Sequence, residues 1–275
     1  NAKTANDQQK SVIRLFELLN KYLAFIALSF VNQSDSISDS MKDLLNKLSR
    51  KAGMGDWIRF LRLSFKQDEK PDKLAELCDF LQEGADSDAV LTAYLQLEKE
   101  RGKSRAGKKK SVAPIDFLGH VVAYRNTSQE GHGRLRSPAV TEKNSQLLKD
   151  AFIDLMSQPN PVTNWSLFHV DSNERRIEGN VHYSQRILMG KNFVPKTTIE
   201  LEDSPLVKGT TAGGVYLDAG NSFLELTPWL AFGFGDYEEE ELFVYKSKQK
   251  WETYHNSDRY PADKEKIIME QLLAK

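Results

Sequence analysis

The chain has 275 residues, of which 40% are hydrophobic and 28% charged, and its formal net charge at pH 7 is -1. This composition is typical of a globular protein with one large or two modest domains, and it argues against a disordered or fibrous chain. The near-neutral balance excludes strong nucleic-acid binding through bulk charge and leaves only local basic patches for that role.

The cysteine count and the apolar runs predict a cytoplasmic protein without disulfides. The longest apolar run, Tyr22 to Val31, is much shorter than the roughly 20 residues that cross a bilayer, and no signal-peptide pattern opens the chain. The single cysteine, Cys78, excludes an internal disulfide framework and a multi-cysteine zinc site, and we interpret it as an inert buried thiol. Because the chain begins without Met and stops abruptly at Lys275, we expect a fragment of a longer protein.

Residues from about Gln8 to Met156 follow a helical pattern. The first predicted helix carries an apolar stripe at Ile13, Phe16, Leu19, Leu23, Ile26 and Phe30. Further helices are predicted from about Ser38 to Lys51, from an N-cap at Asp56, and in the segments KLAELCDFLQ and DAVLTAYLQLEKE. The sixth predicted helix begins near Pro114 and has an apolar face at Phe117, Leu118, Val121 and Val122. The seventh begins at the N-cap Thr141 and ends before Pro159.

Beyond the segment QPNPVTN, residues 158–164, the apolar pattern changes from helical to alternating. Short segments rich in β-branched and aromatic residues predict strands: WSLFHV, NVHYSQRILM, TTIELE, GGVYLD, SFLELT, ELFVYKS and QKWETYH. Two hairpins are expected, Val215 to Leu226 with its turn at DAGN and Leu242 to Tyr254 with its turn at SKQ. Strands of this length and spacing favour a small antiparallel barrel or sandwich, followed by a helix from Pro261 to Leu273.

The stretch AYRNTSQEGHGR places Arg125 and His132 at the predicted end of a helix. A guanidinium can hold a phosphate through two parallel N-H contacts, and an imidazole exchanges protons near neutral pH. This pair suffices in principle for metal-independent RNA cleavage, in which His132 moves a proton to or from the 2′-hydroxyl or the leaving 5′-oxygen and Arg125 stabilises charge on the phosphate. Asn126 would orient either group.

The stretch RNTSQEGH resembles the motif of HEPN domains, in which an arginine, a polar residue and, after four to six intervening positions, a histidine lie at a helix end. The resemblance covers roughly the first 160 residues, and MGDWIRFLR with AYRNTSQEGHG is also similar to N-terminal helical regions of large bacterial signalling and defence proteins. It implies a helical bundle that pairs with a second copy, so that two motifs form one composite ribonuclease site, with Arg125, Asn126 and His132 as catalytic residues.

Two other interpretations of this motif stay open. The motif is either an inactive recognition or dimerisation surface, or simple helix-ending chemistry in which Gly131 and Gly133 supply positive φ angles and Arg125 and His132 cap carbonyls. Nearby basic residues would bind RNA or another phosphate if they fold toward the motif, and otherwise form a solvated loop. These candidate phosphate-binding residues are Lys108, Lys109, Lys110, Arg134 and Arg136.

The remaining sequence features argue against other kinds of site. The five histidines show no zinc-binding spacing, and we interpret His120 as a satisfied buried histidine or a support for Arg125. The glycine-rich segment Lys208 to Gly214 fits neither a P-loop nor a dinucleotide turn, and is predicted to be a loop before a strand. The aromatic residues of the second half either fill the core or form a stacking platform for single-stranded nucleic acid: Phe223, Trp229, Phe232, Phe234, Phe243, Tyr245, Trp251 and Tyr254.

These observations predict an α+β protein with a HEPN-like helical domain over residues 1–158 and an antiparallel β-domain with a terminal helix over residues 162–275. The leading functional hypothesis is a bacterial intracellular defence or signalling module that forms a homodimer and acts on RNA or a nucleotide phosphate, without metal, cofactor or membrane. The alternative is a non-catalytic sensing or docking module that regulates a partner protein or a missing effector domain. The acidic run Asp236 to Glu241 suits such a partner surface.

Overall fold

The computed structural model describes residues 2–32, 37–66, 72–83, 87–102, 109–128, 137–158, 160–175, 181–188, 196–201, 210–220, 223–234, 240–247, 250–253 and 258–259. Within these ranges the protein is α+β, with eight helices followed by nine strands in two antiparallel sheets, which confirms the predicted fold class at this level. The described strands form two open sheets rather than a closed barrel. The predicted helix from Pro261 to Leu273 lies outside the described residues.

The seven helices that the sequence predicts in the first half are present, and a short eighth helix follows them. In the described part of the chain, every helix is too short or too polar to span a lipid bilayer. The helices are α1 Ala2–Asn32, α2 Asp39–Lys51, α3 Met54–Ser64, α4 Asp72–Gln82, α5 Asp88–Glu100, α6 Pro114–Ser128, α7 Pro138–Ser157 and α8 Pro161–Asn164.

Two predicted N-caps are wrong. The cap of α3 is Gly53, and Asp56 lies three residues later, where its carboxylate accepts a hydrogen bond of 2.9 Å from the backbone N-H of Gly53. The cap of α7 is Ser137, whose hydroxyl oxygen accepts from the backbone N-H of Val140 at 3.4 Å, while Thr141 is buried inside the helix. Side chains that are typical of caps also occur within the first turns of a helix, so residue type alone does not identify the cap.

The chain folds into two compact units. The helical unit contains Asn1–Ala24 and Gly53–Thr163, and the mixed unit contains Phe25–Ala52 and Asn164–Lys275. The units thus group the end of α1 and all of α2 with the strands. The sequence-based domain limits, 1–158 and 162–275, stay a prediction.

The core of the helical unit is built from the apolar faces of its helices. Helix α6 packs against α3, α4 and α5, and α5 also packs against α7. The ring of Phe16 on α1 is fully buried and meets the rings of Phe117 and Phe152 edge-on, with centroids 5.6 and 5.3 Å apart. These contacts join α1, α6 and α7, and the thiol of Cys78 is buried in the same unit, as predicted.

The mixed unit contains one five-stranded and one four-stranded sheet. The first sheet has the order β3-β2-β1-β4-β5 and the second the order β6-β7-β8-β9, and all described neighbours are antiparallel. Pairing of β4 with β5 and of β7 with β8 confirms the two predicted hairpins. The strands are β1 Ser166–Arg175, β2 Val181–Ile187, β3 Lys196–Leu201, β4 Val215–Asp218, β5 Phe223–Glu225, β6 Leu230–Phe234, β7 Glu240–Ser247, β8 Lys250–Glu252 and β9 Asp258–Arg259.

Aromatic side chains join the helices and strands of the mixed unit. The ring of Phe25 stacks on that of Trp229 with centroids 5.8 Å apart, and the hydroxyl of Tyr245 donates to the backbone oxygen of Ser49 on α2 at 2.7 Å. Because Trp229, Phe243, Tyr245 and Trp251 are all buried, they fill this core and are not a nucleic-acid platform. Phe234 is 69% exposed, and Tyr254 lies outside the described residues.

Candidate functional site

Helix α6 positions the arginine of the candidate motif. The backbone oxygen of Ala113 accepts from the N-H groups of Asp116 and Phe117, and Pro114 occupies the first helical position, as the sequence predicts. The predicted apolar face of this helix is buried. Its last turn contains Arg125, which therefore lies at the end of a helix that is fixed by its own core packing.

The guanidinium of Arg125 is held by a carboxylate from α1. Its Nε lies 2.8 Å from Oε1 of Glu17, and the two side chains are 25% and 15% exposed. The other oxygen of Glu17 pairs with Nη1 of Arg14 at 3.2 Å, so one carboxylate binds two arginines. This arrangement fixes the Arg125 side chain at a partly exposed position.

The residue before Arg125 anchors the same turn through buried hydrogen bonds. The hydroxyl oxygen of Tyr124 accepts from Nε2 of Gln9 at 2.6 Å and from Nδ2 of Asn144 at 3.1 Å. All three side chains are buried, so these bonds are shielded from water. The end of α6 is thereby connected to both α1 and α7.

The structure describes only part of the predicted site. Asn126 is exposed and directly follows Arg125, while His132, Arg134, Arg136 and Lys108 lie outside the described residues. Lys110 is exposed. The ammonium group of Lys109 lies 4.9 Å from the centroid of the Tyr94 ring, a cation-π contact that directs this lysine toward α5.

A second polar cluster, which sequence reasoning found only in part, surrounds His120 on α6. The Nδ1-H of His120 donates to the backbone oxygen of Asp116 at 2.9 Å, because a carbonyl can only accept. Its Nε2 lies 2.6 Å from Oε1 of Glu98, which is also 3.6 Å from Nη1 of Arg101. His120 has polar partners, as predicted, but its side chain is 20% exposed rather than buried. Its partners come from α5 and its own helix, not from the carboxylate that binds Arg125. The missed signal was Glu98, a charged residue within the apolar stripe of α5.

Another missed cluster lies on the strands of the mixed unit. The Oδ1 atom of Asp171 lies 3.2 Å from Nδ1 of His169 and 3.2 Å from Nη2 of Arg186. The ring of Phe232 covers both partners, at 5.2 Å from the His169 ring and 5.5 Å from the Arg186 guanidinium. A register shift between Val170 and Ser172 identifies a β-bulge at Asp171. Since a bulge redirects a side chain, it accounts for this grouping.

Neither cluster has the composition of a metal centre. Among the described residues, no three His, Cys, Asp or Glu side chains lie close enough to hold a metal ion together. The chemistry available at the end of α6 is therefore that of a positioned guanidinium beside an exposed amide. Compared with protein-family models, curated proteins and solved structures, the chain matches none of them.

Proposed function

We propose that this chain is a bacterial cytoplasmic defence or signalling module whose HEPN-like helical part is a metal-independent endoribonuclease. The observation that carries the proposal is the placement of Arg125, which is partly exposed at the end of α6 and held by Glu17 at 2.8 Å. A cation that is fixed before the reaction stabilises charge on a phosphate without the cost of reorganising.

The proposed chemistry assigns one role to each motif residue. Arg125 binds the phosphate oxygens on which charge grows, and His132 transfers the proton of the 2′-hydroxyl or of the leaving oxygen. Asn126 orients one of these groups. In this proposal two copies pair through their helical parts to complete the site, and the neighbouring basic residues bind the RNA backbone: Lys108, Lys109, Lys110, Arg134 and Arg136.

The test is cleavage of end-labelled RNA by the purified full chain in the presence of EDTA. We expect products with 2′,3′-cyclic phosphate ends. The Arg125→Ala and His132→Ala variants should keep their fold and cleave RNA at least about a hundredfold more slowly. The matched control is Arg62→Ala, because Arg62 also pairs with a carboxylate of the helical unit, Asp116 at 3.0 Å, but lies outside the motif. The control must cleave at the unmodified rate. Absence of cleavage across RNA types would reject the ribonuclease.

The role of Glu17 is tested separately, as a positioning residue. Glu17→Gln removes the charge that holds Arg125 and keeps the size of the side chain. We expect the cleavage rate constant to fall while RNA affinity changes little, because the lost function is orientation of the guanidinium. Equal losses in affinity and rate would instead assign Glu17 to binding.

The alternative proposal is a non-catalytic sensing or docking module that regulates a partner protein. The observation that favours it is the sharing of Glu17 by Arg14 and Arg125, which connects α6 to α1. Under this alternative, Arg125→Ala lowers the stability of the helical unit and no RNA is cleaved. The cleavage assay distinguishes the two proposals, and unfolding measurements on this variant show how much the Glu17–Arg125 contact contributes to stability.

A further inference from the structure

Helix α7 presents an exposed stripe of residues that lie seven positions apart. Seven residues complete nearly two helical turns, so residues at this spacing share a face. Ala139, Gln146 and Ile153 follow the middle of the stripe and are all exposed. Ile153 is 53% exposed, and among the described residues only Phe234 is another large hydrophobic side chain with high exposure. A second helix on this stripe would cover the apolar side chain of Ile153.

The two edges of this stripe carry charges in a regular arrangement. One edge has Glu142 and, seven residues later, Lys149, and the other has Lys143 and, seven residues later, Asp150. All four side chains are exposed. Each edge therefore contains one acidic and one basic residue at the same spacing, and on the two edges the order of the charges is opposite.

We propose that this stripe binds the same stripe of a second copy of the chain, with the two α7 helices antiparallel. In a two-fold antiparallel pair each edge meets its own copy. Glu142 of one copy then lies opposite Lys149 of the other, and Lys143 lies opposite Asp150. The symmetry repeats both contacts, which gives four ion pairs. Gln146 meets its own copy at the axis, and Ile153 covers Ala139.

A cleft beside one edge of the stripe provides room for side chains of the second helix. Its volume is about 570 Å³, and it lies between α1 and α7, with Asp7 and Ser11 on one wall and Glu142, Gln146 and Lys149 on the other. Side chains of a second α7 can enter this space. A helix of 20 residues is about 30 Å long, so a contact along it is smaller than a standard protein interface. We therefore expect a dimer dissociation constant on the order of micromolar.

This inference rests on the homodimer in the proposed function and not on RNA cleavage. The test measures the mass of the full chain by sedimentation equilibrium over a range of concentrations. One variant combines Glu142→Lys with Lys143→Glu, and a second combines Lys149→Glu with Asp150→Lys. Each double change leaves the net charge unaltered, because one acidic and one basic residue exchange signs.

The expected result follows from the pairing. The dimer dissociation constant of each variant alone should be at least about tenfold higher, because all four contacts become repulsive. An equal mixture of the two variants should form a heterodimer of near-normal affinity, because all four contacts are again between opposite charges. In a parallel pair the two edges would face each other, so neither variant would be weakened. Circular dichroism and thermal unfolding confirm that each variant is folded.

Each other outcome rejects a defined part of the inference. A wild-type chain that is monomeric at every concentration overturns both the stripe and the homodimer, whereas RNA cleavage is judged by its own assay. A dimer that the variants do not weaken overturns the stripe and leaves the homodimer. Weakened variants that fail to recover on mixing overturn the antiparallel pairing. Ile153→Ser should also weaken the dimer severalfold, and the matched control Phe234→Ser, in the mixed unit, should not.

Discussion

Replacing Tyr124 by phenylalanine tests whether the end of α6 is anchored as the structure describes. The substitution removes one hydroxyl and leaves the buried N-H groups of Gln9 and Asn144, now 2.6 and 3.1 Å from this oxygen, without their acceptor. A buried donor left without a partner costs about 1 to 3 kcal/mol. Counting about 1 kcal/mol for each amide, we expect a loss of about 2 kcal/mol and a melting temperature about 4 to 8 °C lower.

Urea and thermal unfolding followed by far-ultraviolet circular dichroism measure this loss. The matched control is Tyr94→Phe, because Tyr94 is also buried and its hydroxyl makes no hydrogen bond within the described residues. Adding Gln9→Leu to Tyr124→Phe should recover part of the loss, since replacing both partners of a buried bond is better tolerated than replacing one. A loss equal to that of the control, or no recovery in the double variant, would refute the proposed anchoring.

Three further predictions concern the two cores. Gly214→Ala should destabilise the mixed unit by about 1 to 3 kcal/mol, because a Cβ at this position would lie 2.5 Å from Cε2 of Tyr216. An unchanged midpoint of urea unfolding would contradict this prediction. Burial raises the pKa of the Tyr216 hydroxyl above its usual 10.0, and burial also raises the pKa of Tyr22. Both hydroxyls stay protonated in the folded state while the unfolded chain ionises, so stability should fall as pH rises above 10.0, and less steeply in Tyr22→Phe or Tyr216→Phe. Phe16→Ala should cost about 3 to 5 kcal/mol, and a value below about 1 kcal/mol would show that its ring is not packed between α6 and α7.

Local pattern in the sequence determined the type and approximate position of most elements. Apolar side chains at helical spacing, such as Phe16 and Leu23, identified α1, and alternating residues in the second half identified seven of the nine described strands. Strands β6 and β9 were not predicted. The hairpins were predictable because turn residues and flanking strands are neighbours in the chain. Helix N-caps were less predictable, because Asp56 and Gly53 lie in one turn and only the backbone geometry shows which of them is the cap.

Only the tertiary structure decided which polar groups meet. Arg125 pairs with Glu17, Tyr124 with Gln9, and His120 with Glu98, and each pair joins different helices. Local spacing carries no information on such pairs, because they depend on which faces of distant helices pack together. The same reason applies to residues 25–52, whose helical pattern is clear in the sequence but whose place beside the strands depends on long-range packing. The sequence by itself therefore determined the elements and the motif, and the packing of helices decided what surrounds the motif's arginine.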